Sequence, residues 1–194
     1  MEILFSDNNI AVCVKPVGVD SEHQVPQALS EALGGDIYPV HRLDKNVGGV
    51  MVFARNQKTA AALSRSIQEG TMVKEYYALV HGTPEESGDL TDLLFKDSRK
   101  NKVFVVKKKR AGVKEARLTY QALNRLDPCL LRIRLFTGRS HQIRVQFASR
   151  GFPLVGDHKY GAKDRETAPF LYSCSLSFPY KGQVTTFESK PKWV

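Results

Sequence analysis

The residue whose type and setting point most directly to chemistry is Asp44, in His41-Arg42-Leu43-Asp44. The segment continues through Gly48-Gly49 into the apolar run Val50-Met51-Val52-Phe53-Ala54. A loop that feeds a buried strand can hold a carboxylate still enough to act as a nucleophile. By residue type alone a charged triplet before Gly-Gly is more often an ordinary solvated loop. A second charged group lies in Thr137-Gly138-Arg139-Ser140-His141-Gln142-Ile143-Arg144. There Ser140 is placed to cap a helix that ends before Gly151, and Ile143 and Phe147, four apart, form its apolar stripe. Arg139 then stands at the mouth of the helix and Arg144 on a different face, an arrangement suited to a phosphate or a carboxylate. Spacing alone favours a solvated basic face for Arg139, His141 and Arg144. No pair or cluster has metal-ligand spacing.

The elements that must position these residues are mostly strands. Ile3-Leu4-Phe5 and Ile10 to Val14, joined by Ser6-Asp7-Asn8-Asn9, read as a hairpin stopped by Lys15-Pro16. Pro26 to Leu33 suits a short helix with proline in its first turn and Gly34-Gly35 beyond its end. Asn56 is placed to cap a helix over Lys58 to Ile67, stopped by Gly70. Met72 to Val80 is a strand by composition, and Val103 to Val106 is another. Leu118 to Ala122 and Leu130 to Phe136 suggest an antiparallel pair, and two further strands, Leu171 to Phe178 and Gln183 to Phe187, close the chain.

At 194 residues one domain, 1–194, is expected, large enough to bury a core without staples. Lys and Arg number 29 against 20 Asp and Glu, a formal +9 that favours a polyanionic partner. Residues 96–117 hold ten Lys and Arg against Asp97 and Glu115, so this segment carries +8 of that charge. Its β run with basic flanks, Lys107-Lys108-Lys109-Arg110 above all, reads as a phosphate-facing edge. Lysines that merely protect an edge strand from pairing are the competing explanation. Cys13, Cys129 and Cys174 show no ligand pattern and read as reduced and structural. With no leader-like amino terminus and no run near the ~18 apolar residues of a membrane span, a cytoplasmic protein is expected.

Four stretches in order resemble the RluA-type RNA pseudouridine synthases: His41 to Asp44, Lys74-Glu75-Tyr76-Tyr77-Ala78-Leu79-Val80, Thr137 to Arg144, and Pro153-Leu154-Val155-Gly156-Asp157-His158-Lys159-Tyr160-Gly161. Lys15-Pro16-Val17-Gly18 is similar to the family's Lys-Pro-x-Gly turn. The resemblance implies an α+β pseudouridine synthase catalytic fold: a mixed, mainly antiparallel sheet with flanking helices and a central active-site cleft. Because the pattern begins almost at Met1, the S4-like domain that many members carry in front is expected to be absent. By position Asp44 matches the catalytic aspartate, Tyr76 the active-site tyrosine and Arg144 the arginine that pairs with the aspartate. Arg42, Arg139 and His141, with Lys107, Lys108, Lys109 and Arg110, are the expected RNA contacts. Leu154 matches an apolar residue that packs near the tyrosine.

The implied reaction breaks the N1–C1′ bond of a uridine in rRNA or tRNA, turns the base and rejoins it through C5. Attack by Asp44 on C1′ or C6, and removal of a sugar proton, all fit an ionised carboxylate. The reaction needs no metal and no organic cofactor, and a monomer is the simplest expectation. Two positions depart from the pattern: Asn46-Val47-Gly48-Gly49 lacks a hydroxyl usual after the aspartate, and Gln146 stands where a histidine is usual. Two other functions remain in view. One is a non-catalytic RNA-binding protein on the same fold. The other is a glycosidase that uses Asp44 with Asp157 as second acid.

Overall fold

The computed structural model describes residues 1–194. In chain order the elements are β1 (Glu2–Ser6), β2 (Ile10–Lys15), α1 (Gln24–Leu33), β3 (Tyr38–Pro39), β4 (Gly48–Ala54), α2 (Gln57–Gln68) and β5 (Val73–Val80). β6 (Ser87–Asp97), β7 (Lys102–Val106), β8 (Val113–Ala122) and β9 (Cys129–Leu135) follow. The chain ends with α3 (Gln142–Ala148), a 3-10 turn at His158–Tyr160, β10 (Leu171–Tyr180) and β11 (Gln183–Glu188). Two compact units result: Met1–Lys74 with Tyr172–Val194, and Glu75–Leu171.

In the first unit β4 is the strand around which the others assemble. Every residue of Gly48–Ala54 is buried, which is why this stretch reads as a continuous apolar run and not as an alternation. β2 pairs it antiparallel from Ile10↔Ala54 to Lys15↔Gly49, β1 adds to β2, and β3 pairs its far end. β10 runs parallel to its start, with Tyr172 opposite Gly48 and Ser173 opposite Gly49. β11 folds back on β10. The core between this sheet and α2 holds Ile10, Val50, Val52, Leu63, Met72 and Phe178. α2 starts where Asn56 caps it, the side chain accepting from Thr59 N–H at 2.8 Å.

Gly49 is a position no other residue fits. Its φ is +123°, and a Cβ there would lie 2.3 Å from the Ser173 carbonyl oxygen. The strand pairing of β10 to β4 depends on that approach.

The sheet of the second unit has the order β5-β9-β8-β6-β7, in which β8 crosses back past β7 to pair with β6. β6, β7, β8 and β9 pair antiparallel. β9 alternates Leu131 and Ile133, fully buried, with exposed Arg132 and Arg134. One sheet face thus packs inward, where Leu94, Val103 and Ala116 meet Val145 of α3. The long strand β6 has no counterpart among the strands expected from the sequence. Its three aspartates suit turns better than strands, and its pattern is broken by Leu93-Leu94-Phe95. Pairing with β8 along Ser87 to Phe95 overrides that preference.

Candidate active site

Asp44 lies in the loop before β4, and the backbone on both sides of it is tied down. The buried Ser21 hydroxyl donates to Leu43 C=O at 2.9 Å and accepts from Leu43 N–H at 3.2 Å. After it, Lys45 C=O accepts from Gly18 N–H at 2.8 Å and from the Lys15 ammonium at 3.1 Å. Val47 N–H closes the turn onto Asp44 C=O at 2.9 Å. Leu43 and Val47 are buried on either side of the half-buried acid. Apolar anchors and hydrogen bonds together fix where the carboxylate starts, which a catalytic acid needs and a solvated loop does not.

Lys15, fully buried, also donates to Pro16 and Val19 C=O at 2.9 and 2.8 Å. Burial pushes its ammonium down to about 8, against the pull of Asp20 and Asp44, so it is charged at neutral pH. The Lys-Pro-x-Gly turn is thereby explained: its lysine sews the turn to the Asp44 loop.

Arg42 and His41 diverge. The Arg42 side chain is 61% exposed and pairs with Glu22 at 2.9 Å. His41 turns inward, its Nε2 accepting from Val52 N–H of β4 at 3.2 Å, so the proton sits on Nδ1, which is buried without a hydrogen-bond partner. Burial first, and the nearby Lys74 ammonium second, push its pKa down to about 3, so it is neutral at physiological pH. The sign of the pH dependence follows. Between about 6.5 and 3 the unfolded chain binds a proton that the folded one refuses, so stability present above pH 6.5 is lost as pH falls. From this one group the expected slope in that window is about 1.4 kcal/mol per pH unit. Urea midpoints from pH 7 to 4 should fall more steeply for wild type than for His41→Asn; parallel curves would remove His41 from the account.

Tyr76 is on β5 and is buried. Its neighbour Glu75 pairs with Arg132 on the open face of the sheet, so Tyr76 points to the face that carries α3. Leu154, also buried, forms a bridge with Val80 of the same strand. Backbone bonds Val155 N–H to Leu79 C=O and His81 N–H to Pro153 C=O, both 2.9 Å, fasten the loop there.

Arg144 is 8% exposed, and its guanidinium forks onto the Asp157 carboxylate, Nε to Oδ2 at 2.7 Å and Nη2 to Oδ1 at 2.8 Å. Asp157 is 1% exposed. A bidentate buried pair of this kind fixes both the position and the plane of the arginine. Tyr160 lies 5.1 Å under the guanidinium carbon. Its hydroxyl accepts from Val103 N–H at 2.9 Å and shares a hydrogen bond with His141 Nδ1 at 2.8 Å. The Gly156-Asp157-x-x-Tyr160 stretch is therefore the seat of Arg144. The sequence offered that stretch only as a motif, and Asp157 only as a second acid. Both Asp157 oxygens are engaged by the arginine, so Asp157 serves as its seat and not as the open second acid that the glycosidase alternative requires.

Ser140 does not cap α3. The helix begins at Gln142, with His141 before it in the left-handed region at φ +50° and no side-chain cap. The Gln142 side chain folds back instead, accepting from Arg139 N–H at 3.0 Å and the Thr137 hydroxyl at 2.8 Å. All six residues Gln142 to Phe147 are buried, so a solvated basic face is ruled out. Arg139 reaches across to Glu115 C=O at 2.9 Å and is exposed. Gln146 sends its amide to Asp92 Oδ2 at 2.8 Å and Leu90 C=O at 3.2 Å, a structural tie to β6. Lys107 to Arg110 form the exposed turn after β7.

A family model for RNA pseudouridylate synthase matches residues 9–149. The chain belongs to the RNA pseudouridylate synthase family. It is 33% identical to an uncharacterized RNA pseudouridine synthase of Aquifex aeolicus (strain VF5), over 97% of this chain and 68% of the relative. To the dual-specificity RNA pseudouridine synthase RluA of Vibrio vulnificus (strain CMCP6) it is 31% identical, over 100% of this chain and 80% of the relative. Other curated relatives are spanned over 42% and 62% of their length. The solved structure of human RNA pseudouridylate synthase domain containing 1 superposes with a TM-score of 0.85 at 22% identity, covering 100% of this chain and 84% of the other. The fold is that of a pseudouridine synthase, an isomerase: α+β, with a mixed, mostly antiparallel sheet and three helices.

Proposed function

We propose that this chain converts uridine to pseudouridine in a structured RNA, rRNA or tRNA, and that Asp44, Tyr76 and Arg144 carry the reaction. The observation that supports it most is the immobilised Asp44 loop, in which Ser21 and Lys15 hold the peptides flanking the acid. Asp44 supplies the carboxylate that engages the nucleoside. Arg144, already planar and oriented on Asp157, supplies a fixed positive charge to the reaction. Tyr76 stacks on the displaced base and its hydroxyl takes part in proton loss from C5. The matched model, 9–149, runs through both units, which supports residues 1–194 acting as one catalytic domain.

The target base must leave its stack, at about a few kcal/mol, and contacts to the RNA backbone repay this. We assign those contacts to the exposed Arg42 and Arg139 and to Lys107, Lys108, Lys109 and Arg110. The Vibrio relative's name speaks of dual specificity, which favours more than one RNA as substrate here as well. Mapping pseudouridines in total RNA from cells with and without the gene tests the proposal. Sites that vanish with the gene and return with the purified protein are expected, and an unchanged map refutes it.

The basic turn makes a separate prediction. Changing Lys107, Lys108 and Lys109 together to glutamate should weaken RNA binding several-fold. It should also flatten log K against log salt by about 0.9 for each phosphate that the turn no longer neutralises. An unchanged slope would leave the lysines as guards of the β7 edge.

A further inference from the structure

The sheet of residues 75–171 has a face opposite α3 that Asp44, Tyr76 and Arg144 leave unused and that the basic turn flanks through Arg110, and it carries aromatic rings approached by cations. Phe95 on β6 is directly opposite Phe104 on the edge strand β7 and Val113 on β8. The Arg110 guanidinium lies 4.8 Å from the centre of the Phe95 ring; the Lys102 ammonium is 5.9 Å from that of Phe104 but nearer, at 5.3 Å, to Tyr160 on the other side of the edge strand. Four residues along β8, Arg117 stands 4.6 Å from the Phe136 ring, which Arg134 also approaches at 5.3 Å. Phe104 is 37% and Phe136 45% exposed, so both rings are open to solvent.

The acids nearby do not cancel this charge. Asp89 is neutralised by Arg117, which donates Nε and Nη2 to its carboxylate, and Glu75 by Arg132. That leaves Arg110 and Arg134, with the lysines of the turn, against Glu115 and Asp97. Strand spacing and rise put the two aromatic clusters about 13 Å apart along the strands and 10 Å across them, roughly 16 Å in all. At about 3.4 Å per stacked nucleotide that is the reach of some five nucleotides. Planar guanidinium groups laid on phenyl rings, repeated at that interval on an open sheet, suit unpaired bases better than a duplex, whose bases are already stacked. They also suit bases better than a protein strand, which an edge flanked by lysines repels.

We propose that this face is a second RNA site, a stacking platform for a single-stranded segment of about five nucleotides, separate from the catalytic residues. It rests on the reading of the chain as an RNA enzyme and adds a demand on the substrate: an unpaired stretch outside the modified nucleotide. The probe is a hexamer of oligo(rA) with one 2-aminopurine, which contains no uridine for the catalytic residues, at 50 mM salt. Wild type is expected to bind it and quench the 2-aminopurine by stacking. Phe104→Leu/Phe136→Leu, apolar and at exposed positions, should bind at least about tenfold more weakly. Arg110→Lys/Arg117→Lys keeps the charge but loses the planar groups, and should lose quenching and affinity together; it carries the test if the phenylalanine variant fails to fold. The proposal is overturned if wild type does not bind, if binding occurs without quenching, or if both variants that fold match wild type. Self-association of wild type that the phenylalanine variant abolishes would likewise overturn it, assigning the face to a second copy. Pseudouridine formation on total RNA is scored separately. Its absence would refute the activity and leave the oligo(rA) result standing.

Discussion

Asp44→Asn should abolish pseudouridine formation, to below about one part in 10⁴ of wild type, while the fold and most of the RNA affinity survive. The substitution preserves shape and removes only the negative charge. The loop that carries it is held by backbone bonds from Ser21, Lys15 and Gly18 that do not involve the side chain. A chemical step routed through the carboxylate has no substitute once it becomes an amide. Tritium release from [5-³H]uridine in transcript RNA measures the first effect, and a filter-binding titration the second. Activity within tenfold of wild type would displace Asp44 from the reaction, and loss of RNA binding together with activity would point to a binding role.

Asp157→Asn should be nearly as damaging by a different route. The Arg144 guanidinium is anchored through two bonds to the Asp157 carboxylate in a site where both residues are almost sealed from water. Removing the charge leaves a buried cation without that counter-ion, which costs about 3–5 kcal/mol in folding stability when one partner of such a pair is deleted. It also removes the two bonds that set the plane of the guanidinium. We expect kcat to drop by about 10²-fold or more with a smaller change in KM, since positioning acts on the chemical step. Asp157→Glu, which keeps the charge but moves it by one methylene, should recover stability before it recovers rate. Equal kcat for wild type and Asp157→Asn, at a temperature where both are folded, would mean that Arg144 needs no such seat.

Much of this was legible in the chain itself, for reasons that differ by element. The wholly buried β4 was readable because a strand covered on both faces leaves an unbroken apolar run. Asn56 was readable as a cap because its partner lies three residues on. Asp44, Tyr76 and Arg144 stand out through motifs, whereas the contacts around them do not. Ser21, separated from Leu43 by twenty-two positions, looks like any loop serine, and nothing local marks Asp157 as the partner of a helix arginine. Ser140 misled because the hydroxyl fitted the capping pattern, while the actual start of α3 is set by Gln142 folding back onto Thr137 and Arg139. β6 was hidden because its acids read as turn residues until β8 is there to pair with them. In each case the missing information was a contact distant in sequence.

The reciprocal bond between Ser21 and Leu43 sets two clocks within one tetrapeptide. The amides of Leu43, Val47 and Gly18 are all engaged, so their exchange with deuterated water should be slow, gated by opening of the whole loop. Immediately before Leu43, the Arg42 side chain stands in solvent with only the exposed Glu22 to hold it, free to change rotamer in nanoseconds. A searching arm and a stationary backbone are thus built from nearby residues: the arginine can sample an arriving polyanion many times over before the loop that carries Asp44 opens.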